Sequence, residues 1–130
     1  MCIRDRVGAA QAIFFNQGQV CTAGSRLYVQ KKLFDKVVSE LSAIASAMKL
    51  GPGLDPASEL GPLVSEVQRD RVCSYIDSGV SQGATVASGG GRSGEKGYFV
   101  KPTVLVDVRQ DMRVVQELSL IHISEPTRPY

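Results

Sequence analysis

The chain has 130 residues, with 15 Lys and Arg against 13 Asp and Glu, 43% hydrophobic residues, 6% aromatic residues and no Trp. A mean hydropathy of −0.02 with 22% charged residues argues against a disordered chain, and the length suits one small domain or a piece of a larger one. No apolar run approaches the ~20 residues of a membrane helix, the net charge of +2 gives no case for nucleic acid, and three cysteines in no CxxC pair suit neither a metal site nor a disulfide scaffold.

In chain order, the opening Met1-Cys2-Ile3-Arg4-Asp5-Arg6 has charges but no apolar core and no small-residue cleavage site, so it is no signal peptide. Val7, Ala9, Ala10, Ala12, Ile13 and Phe14 form a compact apolar run of helix formers, expected to be the end of a helix. Gly18 and the small residues Cys21 to Ser25 break it into a turn, and Leu27-Tyr28-Val29 reads as a short strand. From Leu33 the period changes. Val37, Leu41, Ile44, Ala45 and Met48 follow at helical steps, so the spacing predicts an amphipathic helix ended by Gly51-Pro52-Gly53.

Residues 51–63 are a Gly/Pro loop, and Ser65-Glu66-Val67-Gln68 is a capping box opening a second helix. Val72, Ile76 and Val80 mark one face of that helix, and Gly83 ends it. Ala84 to Ala87, Tyr98 to Val100 and Thr103 to Val106 are expected as strands, separated by a loop opening at Gly89-Gly90-Gly91. Alternating strands and helices make this an α/β architecture.

The last stretch, Leu118 to Ile123 followed by Ser124 to Tyr130, answers the first. One codon choice for residues 1–6 has a reverse complement that encodes Leu-Ser-Leu-Ile-His-Ile, which stands at 118–123. Both ends resemble a translated sequencing adapter. The expected organisation is therefore a foreign end at 1–6, a native segment at 7–117 truncated at both ends, and a foreign tail at 118–130. The native part loses His122, the only histidine, and keeps two thiols, Cys21 and Cys73.

Cys21 is the candidate for chemistry. A turn of small residues lets backbone approach a substrate and can leave the cysteine amide free to donate to an oxyanion. The residues alone also allow a second reading, a small apolar side chain buried in packing, which is the commoner fate of a lone cysteine. A Cys–His nucleophile needs an imidazole in reach and the native segment has none, so a catalytic Cys21 would need a carboxylate, a cofactor charge or a helix terminus, from this segment or from sequence outside it. Cys73, between Val72 and Ile76, reads as packing.

Phe14 to Arg26 (FFNQGQVCTAGSR) closely resembles the active-site cysteine motif of the NAD(P)-dependent aldehyde dehydrogenases. Leu50-Gly51-Pro52-Gly53-Leu54-Asp55, Leu60-Gly61-Pro62-Leu63-Val64, Gly89-Gly90 and Gly97 to Thr103 are similar to later landmarks of that family, in order. The resemblance implies part of a three-layer α/β/α catalytic domain, with Cys21 as the nucleophile that carries a thiohemiacetal and then a thioester. It implies NAD or NADP as cofactor, bound mainly by parts outside this sequence, and a small aldehyde as substrate. The family's oxyanion Asn and general-base Glu would also lie outside this sequence, so the segment alone is expected to be inactive. A cytoplasmic homo-oligomeric parent, dimer or tetramer, is the expected setting.

Gln68 and Arg71 match positions near the cofactor's ribose in the family; their other readings are the capping-box partner and a solvated helix residue. Glu117 matches the first residue of the family's Glu-Glu-Ile-Phe-Gly-Pro stretch, and Leu118 stands where a second Glu is expected. A CoA-acylating relative and a non-catalytic protein of the dehydrogenase fold are the alternatives. Leu27 to Gln30 and Val72 to Ile76 resemble phenylacetaldehyde dehydrogenases, without lining an identifiable substrate pocket.

Overall fold

The computed structural model describes residues 3–117. Four helices and two strands run in the order α1 (Ile3–Phe14), α2 (Phe34–Ala47), α3 (Glu66–Ser81), β1 (Thr85–Ser88), β2 (Val104–Val106) and α4 (Arg113–Gln116), with 3-10 turns at Phe15–Gly18 and Lys31–Leu33. β1 and β2 pair antiparallel, Val86 opposite Leu105 and Ser88 opposite Val104, with an irregularity between Val86 and Ser88.

Side chains alternate across a strand, and β2 uses that alternation to join two helical layers. Val104 packs on one side against the cluster of Ala10, Phe14, Ala45 and Leu60, which Ile13, Leu41, Ile44, Met48 and Leu50 complete. Leu105 meets α3 on the other side: a Cβ on Gly79 would lie 3.3 Å from its side chain and 3.1 Å from Val114 of α4. The result is helix, sheet, helix, the expected α/β/α layering in miniature. Burying a side chain as large as Phe14 contributes about 1.5–3 kcal/mol, so the α1–α2 cluster is the main hydrophobic investment of this face.

Of the two long helices α2 follows its apolar pattern, whereas α3 keeps its expected cap and stop but buries only Ile76 of the face marked by Val72, Ile76 and Val80, Val80 being 46% exposed. On α2, Val37 and Ala45 are buried, as the stepped apolar residues require. The helix stops at Ala47, before the Gly-Pro-Gly that was expected to end it. Met48 turns extended (φ −63°, ψ 127°), and Leu50 enters a parallel bridge with Leu60. On α3, Ser65 is an extended N-cap whose Oγ accepts from the Gln68 amide at 3.1 Å. The serine half of the capping box is thus formed. At the far end Gly83 adopts φ 104°, its amide donates to Val80 and the next amide donates to Gly79, closing the helix as anticipated.

The strand expectations divide. The first and last segments form β1 and β2, whereas 98–100 contributes a single bridge, Val100 to Arg92. Leu27-Tyr28-Val29 is not a strand. Leu27 and Tyr28 are 53% and 78% exposed, and among the described residues no strand pairs with them. β-propensity reports fit to a half-buried pleated surface, and without a ladder it cannot act.

Polar clasps hold the connections. Arg69, 8% exposed, donates to Glu66 at 2.7 Å and to Asp70 at 2.9 Å, with its guanidinium 5.8 Å from the Tyr98 ring centroid. Asp70 also accepts from Arg92 at 2.6 Å, which fastens the 89–100 loop to α3. On the opposite side Arg6 pairs with Glu40, linking α1 to α2.

Candidate active site

α1 ends in an unusual turn. Asn16, Gln17 and Gly18 take positive φ in succession (49°, 57° and 73°). Left-handed backbone costs a non-glycine residue about 1–2 kcal/mol, so two such residues in a row must be held by their surroundings. Gly18 is required twice over: a Cβ there would meet the Ile13 carbonyl oxygen at 3.2 Å, and the positive φ would strain it.

Two glutamines do the holding. Gln17, with its amide oriented by its hydrogen bonds, accepts from the Gly61 amide at 2.8 Å and donates to the Asn16 carbonyl at 2.9 Å. Gln19 Oε1 accepts from the Val64 amide at 3.0 Å. On the downstream side the Gly24 amide donates to the Ala12 carbonyl at 2.8 Å, and Ala23 donates to Val20 at 3.0 Å. The turn is therefore strapped to the 61–64 loop by side chains and to α1 by backbone.

Cys21 stands on this turn, exposed and free of any disulfide. Among the described residues this thiol is not packed into a core. Its side chain and its backbone N–H take no hydrogen-bond partner among the described residues. An exposed sulfur and an adjacent N–H without a partner can serve as a nucleophile and an oxyanion donor to one carbonyl. A cavity of about 750 Å³ opens beside the turn, lined in part by Phe14, Phe15, Val20, Thr22, Ala23 and Met48. Cys73 is half-buried on α3, consistent with packing.

Gln68 and Arg71 lie on α3, whose leading segment is bonded to the Cys21 turn through Val64 and Gln19. Gln68 is 2% exposed, and its backbone amide serves the Ser65 cap. Arg71 is half-buried and faces a polar cluster between α3 and α4. There Arg113 donates to Glu117 at 2.9 Å and stacks 4.5 Å from the Tyr75 ring centroid, while the Tyr75 hydroxyl donates to Glu117 at 2.8 Å. These bonds, Arg113 first, hold the Glu117 carboxyl below the usual glutamate range, and the Arg71 charge adds to the effect. As donors, the Arg71 guanidinium and a glutamine amide suit sugar hydroxyls; of the two residues, Gln68 is buried and Arg71 half-buried. Leu118 lies outside the described residues.

Sequence reasoning missed the roles of Gln17 and Gln19, although both stand in the cysteine motif. The available signal was a pair of long polar side chains flanking Gly18 in a turn otherwise made of small residues. It also missed Tyr75 and Arg113 as partners of Glu117, which no local pattern announces.

The sequence profile of the aldehyde dehydrogenase family matches residues 6–118. A mitochondrial aldehyde dehydrogenase of Leishmania tarentolae is 51% identical over 109 residues, covering 84% of this chain and 22% of its own length. The NAD+ complex of an aldehyde dehydrogenase from Bacillus cereus superposes with a TM-score of 0.84 at 52% identity, covering 86% of this chain and 23% of that one. A betaine aldehyde dehydrogenase from Staphylococcus aureus, also solved with NAD+, gives 0.84 at 38% identity over 88% of this chain and 24% of its own. The chain thus spans between a fifth and a quarter of the length of these relatives. With a profile match across most of its length and a shared fold at high identity, the chain belongs to the aldehyde dehydrogenase family.

Proposed function

We propose that the full-length protein containing this segment oxidises an aldehyde to a carboxylic acid with NAD or NADP, and that Cys21 is the nucleophile. The observation that carries this reading is the exposed Cys21 on a strapped turn with its own amide unengaged. The Cys21 thiolate, its proton passed to a base, adds to the carbonyl carbon; a C–S bond forms and the carbonyl π pair becomes an alkoxide. The Cys21 N–H donates to that oxygen, a contact stronger toward the developing charge than toward the neutral carbonyl. NAD(P), when bound, supplies the acceptor for the hydride. The acyl group then remains on Cys21 as a thioester, and water breaks the C–S bond to release the acid and return the thiol. Covalent capture divides one difficult oxidation into easier steps.

Gln68 and Arg71 are assigned to the cofactor's ribose by the family resemblance, and the half-buried Arg71 is the more exposed of the two. The NAD+ in both solved relatives supports NAD as the cofactor. Two free cysteines support a reducing, cytoplasmic setting. The parent is taken to be a homo-oligomer. Residues 1–6 and 118–130 are assigned to a sequencing adapter, supported by their inverted-repeat coding, and 7–117 to the native segment.

In the full-length protein, Cys21→Ala should abolish NAD(P)-dependent aldehyde oxidation, whereas Cys73→Ala should leave kcat within about twofold; equal losses would refute the roles. Assayed alone, the 130-residue chain should give no turnover, and robust oxidation by it would overturn the view that it holds only part of the machinery. Arg71→Ala should raise KM for the cofactor about 3–10-fold, the scale of one lost charge-assisted hydrogen bond. Gln68→Ala should do the same, unless its role is confined to packing; a KM unchanged in both variants sinks the ribose assignment. Amplification of the locus from genomic DNA should replace both terminal stretches and restore an acidic residue at 118, and recovery of the same ends would defeat the adapter reading.

A further inference from the structure

The nucleophile turn and the start of α3 are separate in sequence yet joined by two side-chain bonds. Gln19, two residues before Cys21, accepts from Val64 at 3.0 Å, and Val64 immediately precedes the Ser65 N-cap. Gln17 accepts from Gly61 at 2.8 Å, three residues earlier in the same loop. That loop is itself anchored, since the Leu63 amide donates to the Tyr98 carbonyl at 2.9 Å. The Gly24–Ala12 bond at 2.8 Å closes the turn from the other side. A left-handed run at 16–18 directs the turn, and among the described residues no backbone hydrogen bond joins it to the 61–65 segment. The glutamine oxygens supply that register.

We propose that Gln19, supported by Gln17, is a positioning residue that sets the Cys21 turn against the N-terminal end of α3. This rests on the assignment of Cys21 as nucleophile and of α3 as the cofactor side. Its consequence is specific to one step. Hydride transfer requires the carbon held on Cys21 and the acceptor to be aligned within a fraction of an ångström, and the chain from sulfur to α3 runs through Cys21, Gln19, Val64 and Ser65. Loss of the Gln19 oxygen lets the two sides drift and leaves the Val64 amide without its acceptor. Neither change removes a contact to substrate or cofactor. The signature of such a residue is therefore a slower chemical step at nearly unchanged KM.

The test uses the full-length enzyme with propanal and its 1-deuterio form as probes. It compares the burst rate of reduced cofactor, the deuterium isotope effect on kcat, KM for the cofactor, and iodoacetamide labelling of Cys21. Gln19→Met, which keeps length but removes the acceptor, should lower the burst rate about tenfold or more and raise the isotope effect, with KM within about threefold. Gln19→Glu, which keeps an acceptor oxygen, should restore the burst to within about threefold of the parent. Should Gln19→Met fail to fold, Gln19→Asn, which is one methylene too short for Val64, decides on the same criteria. A soluble Gln19→Met or Gln19→Asn whose burst rate and isotope effect stay within twofold of the parent overturns the proposal, as does a Glu variant no better than Met. Cys21→Ser separates the two readings. If it keeps the burst, the nucleophile assignment fails; if it loses the burst while the Gln19 variants behave normally, only the positioning role fails.

Discussion

Everything in this chain hangs on a three-residue, half-buried strand that packs on both sides. β2 presents Val104 to the α1–α2 cluster and Leu105 to Gly79 of α3. Period-two alternation is the whole of the device. One strand thereby belongs to two hydrophobic contacts, and the helical layers take their spacing from it. Gly79 completes the arrangement, because a Cβ there would crowd the Val114 side chain at 3.1 Å and the Leu105 side chain at 3.3 Å, and both would have to give way. The irregularity between Val86 and Ser88 adapts β1 to the same geometry, turning Ser88 toward α2, where its hydroxyl meets Ser46 at 3.0 Å.

The layering orders the chemistry as well as the core. α1 and its cluster fix the upstream end of the cysteine turn, while the α3–α4 face collects Arg71, Tyr75, Arg113 and Glu117 around one carboxylate. The thiol and the cationic cluster therefore stand on different layers. The loop between α2 and α3 is the structural bridge between them, and its glycines and prolines give it a path that helices could not follow. Its rigidity comes from amide donors captured by side chains and carbonyls rather than from burial. Leu60 and Leu63 are its only buried residues.

Much of this was legible in the sequence because it is local. The stepped apolar residues of α2, the Ser65 cap and the Gly83 stop each act within a few positions, and the structure keeps all three. The cysteine motif was legible as a pattern of small residues. The failures share a non-local cause. Leu27-Tyr28-Val29 has strand chemistry but no ladder among the described residues, so propensity had nothing to pair with. The Gln19–Val64 bond spans 45 positions, and Tyr75–Glu117 spans 42; neither leaves a periodic trace. Gln68 was readable as a cap partner but not as a residue 2% exposed, because burial depends on what folds over it.

The stretch from Gly24 to Gln30 bears on how the molecule behaves in a tube. It runs without regular structure, with exposed β-prone side chains, and among the described residues it is tethered by the Gly24 amide to the Ala12 carbonyl, by Arg26 to the Val115 carbonyl and by Gln110 to the Tyr28 hydroxyl. Unpaired backbone donors and acceptors beside exposed apolar side chains are a template for strand addition. Handled as an isolated polypeptide, the chain leaves Leu27 and Tyr28 uncovered on this stretch, so its behaviour in solution is expected to depend on shielding them.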